Sequence, residues 1–303
     1  MIFGFNARFG RAADGSAFRW RLPQEHEKAI RDLAWDFAEP DQYPDLVAQE
    51  KPGFMASKAE KAFHAAVSSG DPGAILDSGA QDEKYRAVAS AIAGLLLLET
   101  DLERGIDQLE SAIGAADDIG KDHFLHKYMP EAGLSVVIAA GLMARLPLQR
   151  NSLVLLLAEL YQAQGQVAPA LDLLAAAEQT THIRLSRTEL LYDAGRFEDV
   201  LGVTQGVHND DDFTALMLAY RGRALGELGR YDEAVTVFAL VLEYPNRAES
   251  IKAIALVGRG MINQAQGELI LAENDFTQAL IEVPDDEEAR RHIEDLIQRG
   301  GGK

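Results

Sequence analysis

Two histidines lie three residues apart in the segment Asp122-His123-x-x-His126. On a helix this spacing puts both imidazoles on one face, where they could hold a metal ion. The sequence shows no third ligand, and the charged Lys127 follows directly. The pattern therefore favours a histidine pair on a charged surface over a metal site.

The segment His208–Asp212 offers several oxygen ligands, as a calcium loop would. It lacks the glycine and the closing glutamate of such a loop, so we interpret it as a solvated turn between helices. The tail Gly300–Lys303 lacks the spacing and the Ser or Thr of a phosphate-binding loop. The sequence thus predicts no catalytic residues, no metal and no cofactor, and we expect that the protein is not an enzyme.

The chain is acidic, because 48 Asp and Glu residues outnumber 29 Lys and Arg residues and give a formal net charge of −19. Affinity for nucleic acid comes largely from basic residues that displace counterions, so neither nucleic acid nor an anionic membrane is an expected partner. Cysteine is absent, which excludes disulfides and fits a cytoplasmic protein. The longest apolar runs, residues 87–98 and 152–158, are shorter than the roughly 20 residues of a membrane-spanning helix.

The elements that must position any site are helical hairpins, which recur along the second half of the chain. Each has a glycine between two stretches of helical apolar periodicity, and successive glycines are 30, 34 and 38 residues apart. The glycines are Gly165, Gly195, Gly229 and Gly267. The mean of the three steps is the 34-residue period of tetratricopeptide repeats.

Two further positions recur after each glycine. Five residues on is a small residue, which lets the second helix approach the first. Four residues further is a position on the same face, which fills the space between the helices. The small residues are Ala170, Val200, Ala234 and Ala272, and the filling residues are Leu174, Thr204, Phe238 and Phe276. The glycine itself adopts a left-handed conformation at little cost and ends the first helix.

These positions resemble the tetratricopeptide repeat (TPR) family. The resemblance implies an all-α fold, a TPR-like α-solenoid of helical hairpins, with one or two small β-hairpin insertions. Pro284 stands where the family pattern places a proline, and four acidic residues then begin a predicted capping helix over 285–299. The alternative is a set of helical hairpins that do not stack as a solenoid.

The first half of the chain is less regular. Within an N-terminal segment, residues 1–54, aromatic residues alternate with others up to position 22, which predicts a β-hairpin. A helix over 23–39 and a proline-containing linker follow. The hairpin would either pack on the helices or dock a partner.

The next segment, residues 55–149, predicts an irregular helical half. It contains a degenerate repeat over 86–116 and a β-hairpin near 134–148, where Pro147 disfavours a continuous helix. The regular TPR-like repeats then occupy residues 150–284.

The order of the repeats supports a narrower resemblance. After the apolar hairpin come Ala163-Gln164-Gly165, a unit with Arg196–Val200, a unit with Tyr231–Ala234 and, after an unusually long step, Gln264–Gly267. This order resembles the N-terminal helical-repeat domain of EccA, the cytosolic AAA+ ATPase of mycobacterial type VII secretion. The resemblance covers about residues 130–284.

The chain has no Walker A sequence, so ATP hydrolysis is not carried over from that family. What the resemblance implies is a domain that engages secretion substrates or regulates a partner.

In TPR solenoids the first helix of each hairpin lines a concave groove. An exposed Tyr220 beside Arg223 would anchor a partner there; the alternative is that Tyr220 packs against the next repeat. Acidic residues in the groove would favour a basic or neutral peptide. The predicted groove residues are Glu159, Gln162, Glu189, Tyr192, Tyr220 and Arg223.

Three hypotheses for the function follow. The favoured one is a non-enzymatic scaffold or adaptor in the cytoplasm that binds another protein and is linked to type VII secretion. The second is a small-ligand or enzymatic module with its site between the N-terminal half and the solenoid. The third is a structural repeat protein that assembles with copies of itself through an incompletely capped end.

Overall fold

The computed structural model describes residues 51–115, 119–139 and 142–300. The β-hairpin and the helix predicted before residue 50 lie outside the described residues. The described chain is helical apart from a β-hairpin, which confirms the predicted all-α, TPR-like fold. Its elements are α1 (Lys58–Ser69), α2 (Pro72–Ala80), α3 (Arg86–Leu97), α4 (Leu102–Gly114), α5 (His123–Tyr128), β1 (Gly133–Ala139), β2 (Leu142–Pro147), α6 (Arg150–Ala163), α7 (Val167–Ala176), α8 (Thr181–Asp193), α9 (Phe197–Val203), α10 (Asp212–Glu227), α11 (Tyr231–Leu242), α12 (Glu249–Ala265), α13 (Leu269–Glu282) and α14 (Glu287–Gly300).

The chain divides into two compact units. The first ends at Glu178, and the second begins at Gln179 and continues to the C-terminus. The division follows the first regular hairpin, α6/α7, rather than preceding it. Each unit is therefore described by itself.

An aromatic cluster joins α1 to α5 in the first unit. The fully buried Phe63 stacks on Tyr85 with 4.6 Å between ring centroids and meets Phe124 edge-on at 4.7 Å. Beside the cluster, the Tyr128 hydroxyl donates a hydrogen bond of 2.6 Å to the Glu60 carboxylate. Offset and edge-on ring pairs of this kind stabilise a core beyond the area that they bury.

Helices α3 and α4 pack closely at the degenerate repeat. A Cβ atom on Gly94 would lie 3.1 Å from the carbonyl oxygen of Gly105, so the two backbones approach where neither helix has a side chain. Asp101 begins α4 by accepting a hydrogen bond from the Arg104 amide. The turn between the two helices therefore ends at Asp101.

The β-hairpin predicted near 134–148 is present as β1 and β2. The strands pair antiparallel, with Gly133 opposite Pro147. Alternate residues of β1, namely Leu134, Val136 and Ile138, are buried, and β1 contacts α6. One face of the hairpin thus packs on the helices. This packing stabilises the hairpin, since two strands alone are only marginally stable in water.

The second unit consists of the hairpins α8/α9, α10/α11 and α12/α13, followed by α14. The turn glycines Gly195, Gly229 and Gly267 all have φ between 70° and 83°, the left-handed conformation that the sequence predicts for them. The first helix of each hairpin contacts the first helix of the next, α8 on α10 and α10 on α12. The hairpins of this unit therefore stack in the manner of tandem repeats.

The stack depends on a ring that fits between glycines. Phe238 of α11 is fully buried, and its ring occupies the space in front of Gly222 on α10 and Gly258 on α12. A Cβ atom would lie 2.8 Å from the ring at Gly222 and 2.4 Å at Gly258. Phe276 of α13 lies in the same way against Gly260. The spacing between neighbouring first helices is thus set by one side chain.

We expect Gly258→Ala to destabilise the second unit, although alanine is the better helix former. The added methyl group overlaps the Phe238 ring, and such overpacking typically costs about 1–3 kcal/mol. The free energy of unfolding in urea, followed by circular dichroism, measures the loss. Gly202→Ala is the matched control, because a Cβ atom there meets nothing within 4 Å. Equal stability of the two variants would contradict the role of the glycine.

Candidate functional site

A cleft opens in the second unit where α8 and α10 end. Its volume is about 400 Å³, which lies in the range of roughly 300–1,000 Å³ typical of ligand sites. The left-handed turn at Gly195 leads from α8 past the cleft into α9. The cleft is lined by Tyr192, Asp193, Gly195, Phe197, Tyr220, Arg223 and Glu227.

Of the two alternatives left open for Tyr220, the structure agrees with internal packing and not with an exposed position. Its side chain is 6% exposed, and its hydroxyl donates a hydrogen bond of 2.7 Å to the Glu189 carboxylate. Burial first, and then the Glu189 charge, raise the pKa of Tyr220 well above its ordinary value, so the hydroxyl stays protonated and donates. The sequence left both alternatives open because repeat spacing identifies the inner face of α10 but not the depth at which that face lies.

Glu189 is likewise buried, with 9% exposure, and it links α8 to α10 through Tyr220. Arg223 forms an ion pair of 2.6 Å with Glu288 of α14. Its Nε atom is buried and has no hydrogen-bond partner among the described residues. Glu189 thus connects α8 to α10 and Arg223 connects α10 to α14, and we expect the loss of either side chain to affect folding.

Two acids that the sequence analysis did not single out lie at the mouth of the cleft. Asp193 is the last residue of α8 and Glu227 the last residue of α10. Each precedes its turn glycine by two residues, so the repeat places them in equivalent positions. The same position holds Ala163 at the end of α6 and Ala265 at the end of α12. Aligning the four hairpins on their glycines would have revealed this pair.

The two carboxylates occupy an unfavourable place. A helix ends with its negative dipole end, which favours cations over anions, and neither α8 nor α10 has a basic residue in its last turn. Burial raises the pKa of Asp193 to about 6, and the Arg223 charge offsets this only in part. Asp193 nevertheless keeps an exposed edge, so the charge stays accessible from the cleft.

Aromatic rings form the wall beside these acids. Tyr192 lies 5.5 Å from Phe197 and 5.6 Å from Tyr220, measured between ring centroids. Tyr192 and Phe197 are half-buried, whereas Tyr220 is buried. The cleft therefore combines an apolar wall with a negatively charged rim.

The remaining predicted groove residues belong to the first unit. Glu159 and Gln162 lie on α6 and are half-buried. Of the six predicted residues, the cleft brings together Tyr192, Tyr220 and Arg223. Partner binding by any of the six stays a prediction.

The histidine pair lies at the exposed surface of α5. Asp122 caps this helix by accepting hydrogen bonds from the Phe124 and Leu125 amides, and the His126 ring contacts the Asp122 carbonyl oxygen at 3.0 Å. Among the described residues, no group of three or more His, Cys, Asp or Glu side chains is arranged to hold a metal ion. The described helices also include none that is long and apolar enough to cross a membrane.

The segment His208–Asp212 is held more firmly than a solvated turn. Asn209 is buried and donates to the Leu240 carbonyl oxygen at 2.7 Å, and Arg247 donates to the Asn209 carbonyl at 2.6 Å. Asp211 caps α10. The oxygen atoms of this segment thus serve the local structure.

Residues 106–297 match the model of a family described as the type VII, ESX-1 secretion system protein EccA1, N-terminal domain. This span begins within α4, ends within α14 and contains every residue of the cleft. The chain belongs to this family.

A solved structure of the EccA1 N-terminal domain has the same fold. It is the N-terminal domain of the EccA1 ATPase from the ESX-1 secretion system of Mycobacterium tuberculosis, with a TM-score of 0.54 at 14% sequence identity. The similarity covers 85% of this chain and 90% of that one. No curated protein matches the sequence. The predicted resemblance to the EccA N-terminal domain is thereby confirmed.

In this member of the EccA1 family we expect Tyr220→Phe to destabilise the fold by about 1–3 kcal/mol. The change removes the donor to Glu189 and leaves a buried carboxylate with one hydrogen bond fewer. Urea unfolding measures the loss. Tyr244→Phe is the control, because Tyr244 is 48% exposed. A Tyr220→Phe protein as stable as the control would show that the buried bond is unimportant.

We expect Asp193→Asn to stabilise the domain in a pH-dependent manner. The unfolded carboxyl has a pKa of about 3.9, whereas the folded value is about 6, so the native state binds the proton more tightly. Asp193 therefore lowers stability as the pH rises from about 4 to 6. Thermal melts should show a larger gain for the variant at pH 7.5 than at pH 5.

The matched control for this prediction is Asp232→Asn. Asp232 lies in the first turn of α11, where the helix dipole favours an acid, so its removal should lower stability slightly. A gain for Asp193→Asn that is equal at both pH values would contradict the raised pKa.

Proposed function

We propose that the chain is a non-enzymatic scaffold or adaptor of TPR type that holds another protein in the cytoplasm during type VII secretion. Membership of the EccA1 N-terminal domain family supports the link to secretion. The observation that carries the proposal is the cleft, whose half-buried aromatic rings and rim carboxylates lie at the surface of the stacked first helices. Half-buried aromatic residues in a concave site are typical anchors of protein recognition.

The charge of the chain supports a partner that is basic or neutral. A second copy would carry the same formal charge of −19, so long-range repulsion opposes self-association. Repulsion from phosphate groups likewise disfavours nucleic acid and anionic membranes. We therefore expect a different protein in the cleft, bound without a cofactor.

A photo-crosslinking amino acid at position 197 of the full chain tests the proposal in cells that carry a type VII system. The cleft should yield a defined crosslinked protein, whereas the same probe at Thr236, an exposed site on α11, should not. The captured protein is then purified and titrated calorimetrically against the unlabelled chain. Equal crosslinking at both positions, or no complex between the purified proteins, would count against the cleft.

Phe197→Ala should weaken that purified complex by at least about five-fold, since truncation of an anchor costs more than about 1 kcal/mol. Thr236→Ala should leave the affinity unchanged. Circular dichroism melts verify that both variants are folded under the conditions of the titration. Unchanged affinity of a folded Phe197→Ala protein would exclude this ring as an anchor. The Tyr220 and Arg223 side chains are unsuitable for this test because both serve the internal contacts described above.

A further inference from the structure

We propose that the cleft binds an arginine side chain of the partner protein. The guanidinium group would lie with the Tyr192 and Phe197 rings on one side and the carboxylates of Asp193 and Glu227 on the other. This inference rests on the proposed function and adds to it the chemical identity of the docked group. Three observations carry the inference. They are the negative charge of the rim, the absence of hydrogen bonds and salt bridges from its two carboxylates to other described residues, and the aromatic wall.

The rim has a negative charge that the cleft itself compensates only in part. Arg223 is the one cation lining the described cleft; it forms an ion pair with Glu288 at 2.6 Å and offsets the charge of Asp193 only partly. Asp193 and Glu227 then remain as two carboxylates, each at the negative end of its helix. A cation in the cleft would interact favourably with both carboxylates and with both helix ends at once.

Neither of these carboxylates forms a hydrogen bond or salt bridge with another described residue. Other acids of the second unit behave differently: Asp275 accepts from Arg259 at 2.6 Å, and Glu233 accepts from Arg230 at 2.7 Å. Asp193 and Glu227 therefore form no hydrogen bond or close ion pair that holds the described helices together. Two exposed carboxylates at equivalent repeat positions, both lining one cleft, are thus accessible to a cationic ligand.

The aromatic wall favours arginine among the basic side chains. A guanidinium group is planar, stacks on aromatic faces and donates hydrogen bonds in several directions within its plane. Tyr192 and Phe197 offer half-buried ring surface directly beside the carboxylates. Stacking on a ring and donation to a carboxylate can thus occur together.

The test is a titration of the full chain with N-acetyl-arginine amide, followed by ¹H–¹⁵N NMR. Its neutral isostere, N-acetyl-citrulline amide, is the matched ligand, since it keeps the shape and loses the charge. Arginine should shift the amides of Asp193, Gly195 and Glu227, and citrulline should bind about two- to five-fold more weakly, as expected when one exposed ion pair is lost. Equal binding of the two ligands, or shifts confined to other regions, would overturn the inference.

A pair of double variants separates local from general charge effects. Asp193→Asn/Glu227→Gln should abolish the preference for arginine over citrulline. Glu268→Gln/Glu273→Gln removes the same charge from exposed positions at the start of α13 and should retain the preference. Loss of the preference in both variants would show that net charge alone is responsible and would overturn the site.

The outcomes also distinguish this inference from the proposed function. If a protein crosslinks at position 197 and binds the Asp193→Asn/Glu227→Gln variant with unchanged affinity, the partner docks without arginine, and only the inference fails. If arginine binds at the cleft but no protein crosslinks there, the scaffold role fails instead.

Discussion

The Phe238 ring between two glycines is the constraint on which the second unit depends. The ring fills the space in front of α10 and α12 at once, and either helix could approach only because it has no Cβ atom at the point of contact. Close packing of this kind leaves no room for either helix to shift, since protein interiors are packed as densely as organic crystals. The relative positions of α10, α11 and α12 therefore follow from the Phe238 side chain and from the two glycines, Gly222 and Gly258, that it contacts.

This packing explains how a regular repeat produces an irregular site. Because successive first helices lie side by side, residues at equivalent positions in the repeat come to lie near each other at the helix ends. At one such position α6 and α12 end with an alanine, whereas α8 and α10 end with an acid. The two acids therefore line the same cleft. The remaining inner positions of α8 and α10 form the bonds that keep these helices adjacent, through Glu189 with Tyr220.

The fold could be predicted from the sequence because each of its devices is local. A turn glycine, a small residue five positions later and a ring four positions beyond that lie within one hairpin, and all three appear where the pattern places them. The site could be predicted only in part. Spacing indicates which face of a helix is inner, but the exposure of Tyr220 depends on contacts with other helices. Asp193 and Glu227 escaped notice because acids near turns are common, and their meaning appears only when the hairpins are compared.

The hairpins are similar in pattern but not interchangeable. Thr204, directly after α9, stands where α11 has Phe238, and Tyr220 stands in α10 where α12 has Gly258, given steps of 34 and 38 residues between their turns. Arg221 contacts the smaller Thr204 side chain by donating a hydrogen bond of 3.1 Å to its hydroxyl oxygen. Large and small residues thus alternate in complementary fashion along the stack. A duplicated or transplanted hairpin would bring a ring against a ring, so steric complementarity restricts the order in which these hairpins can stack.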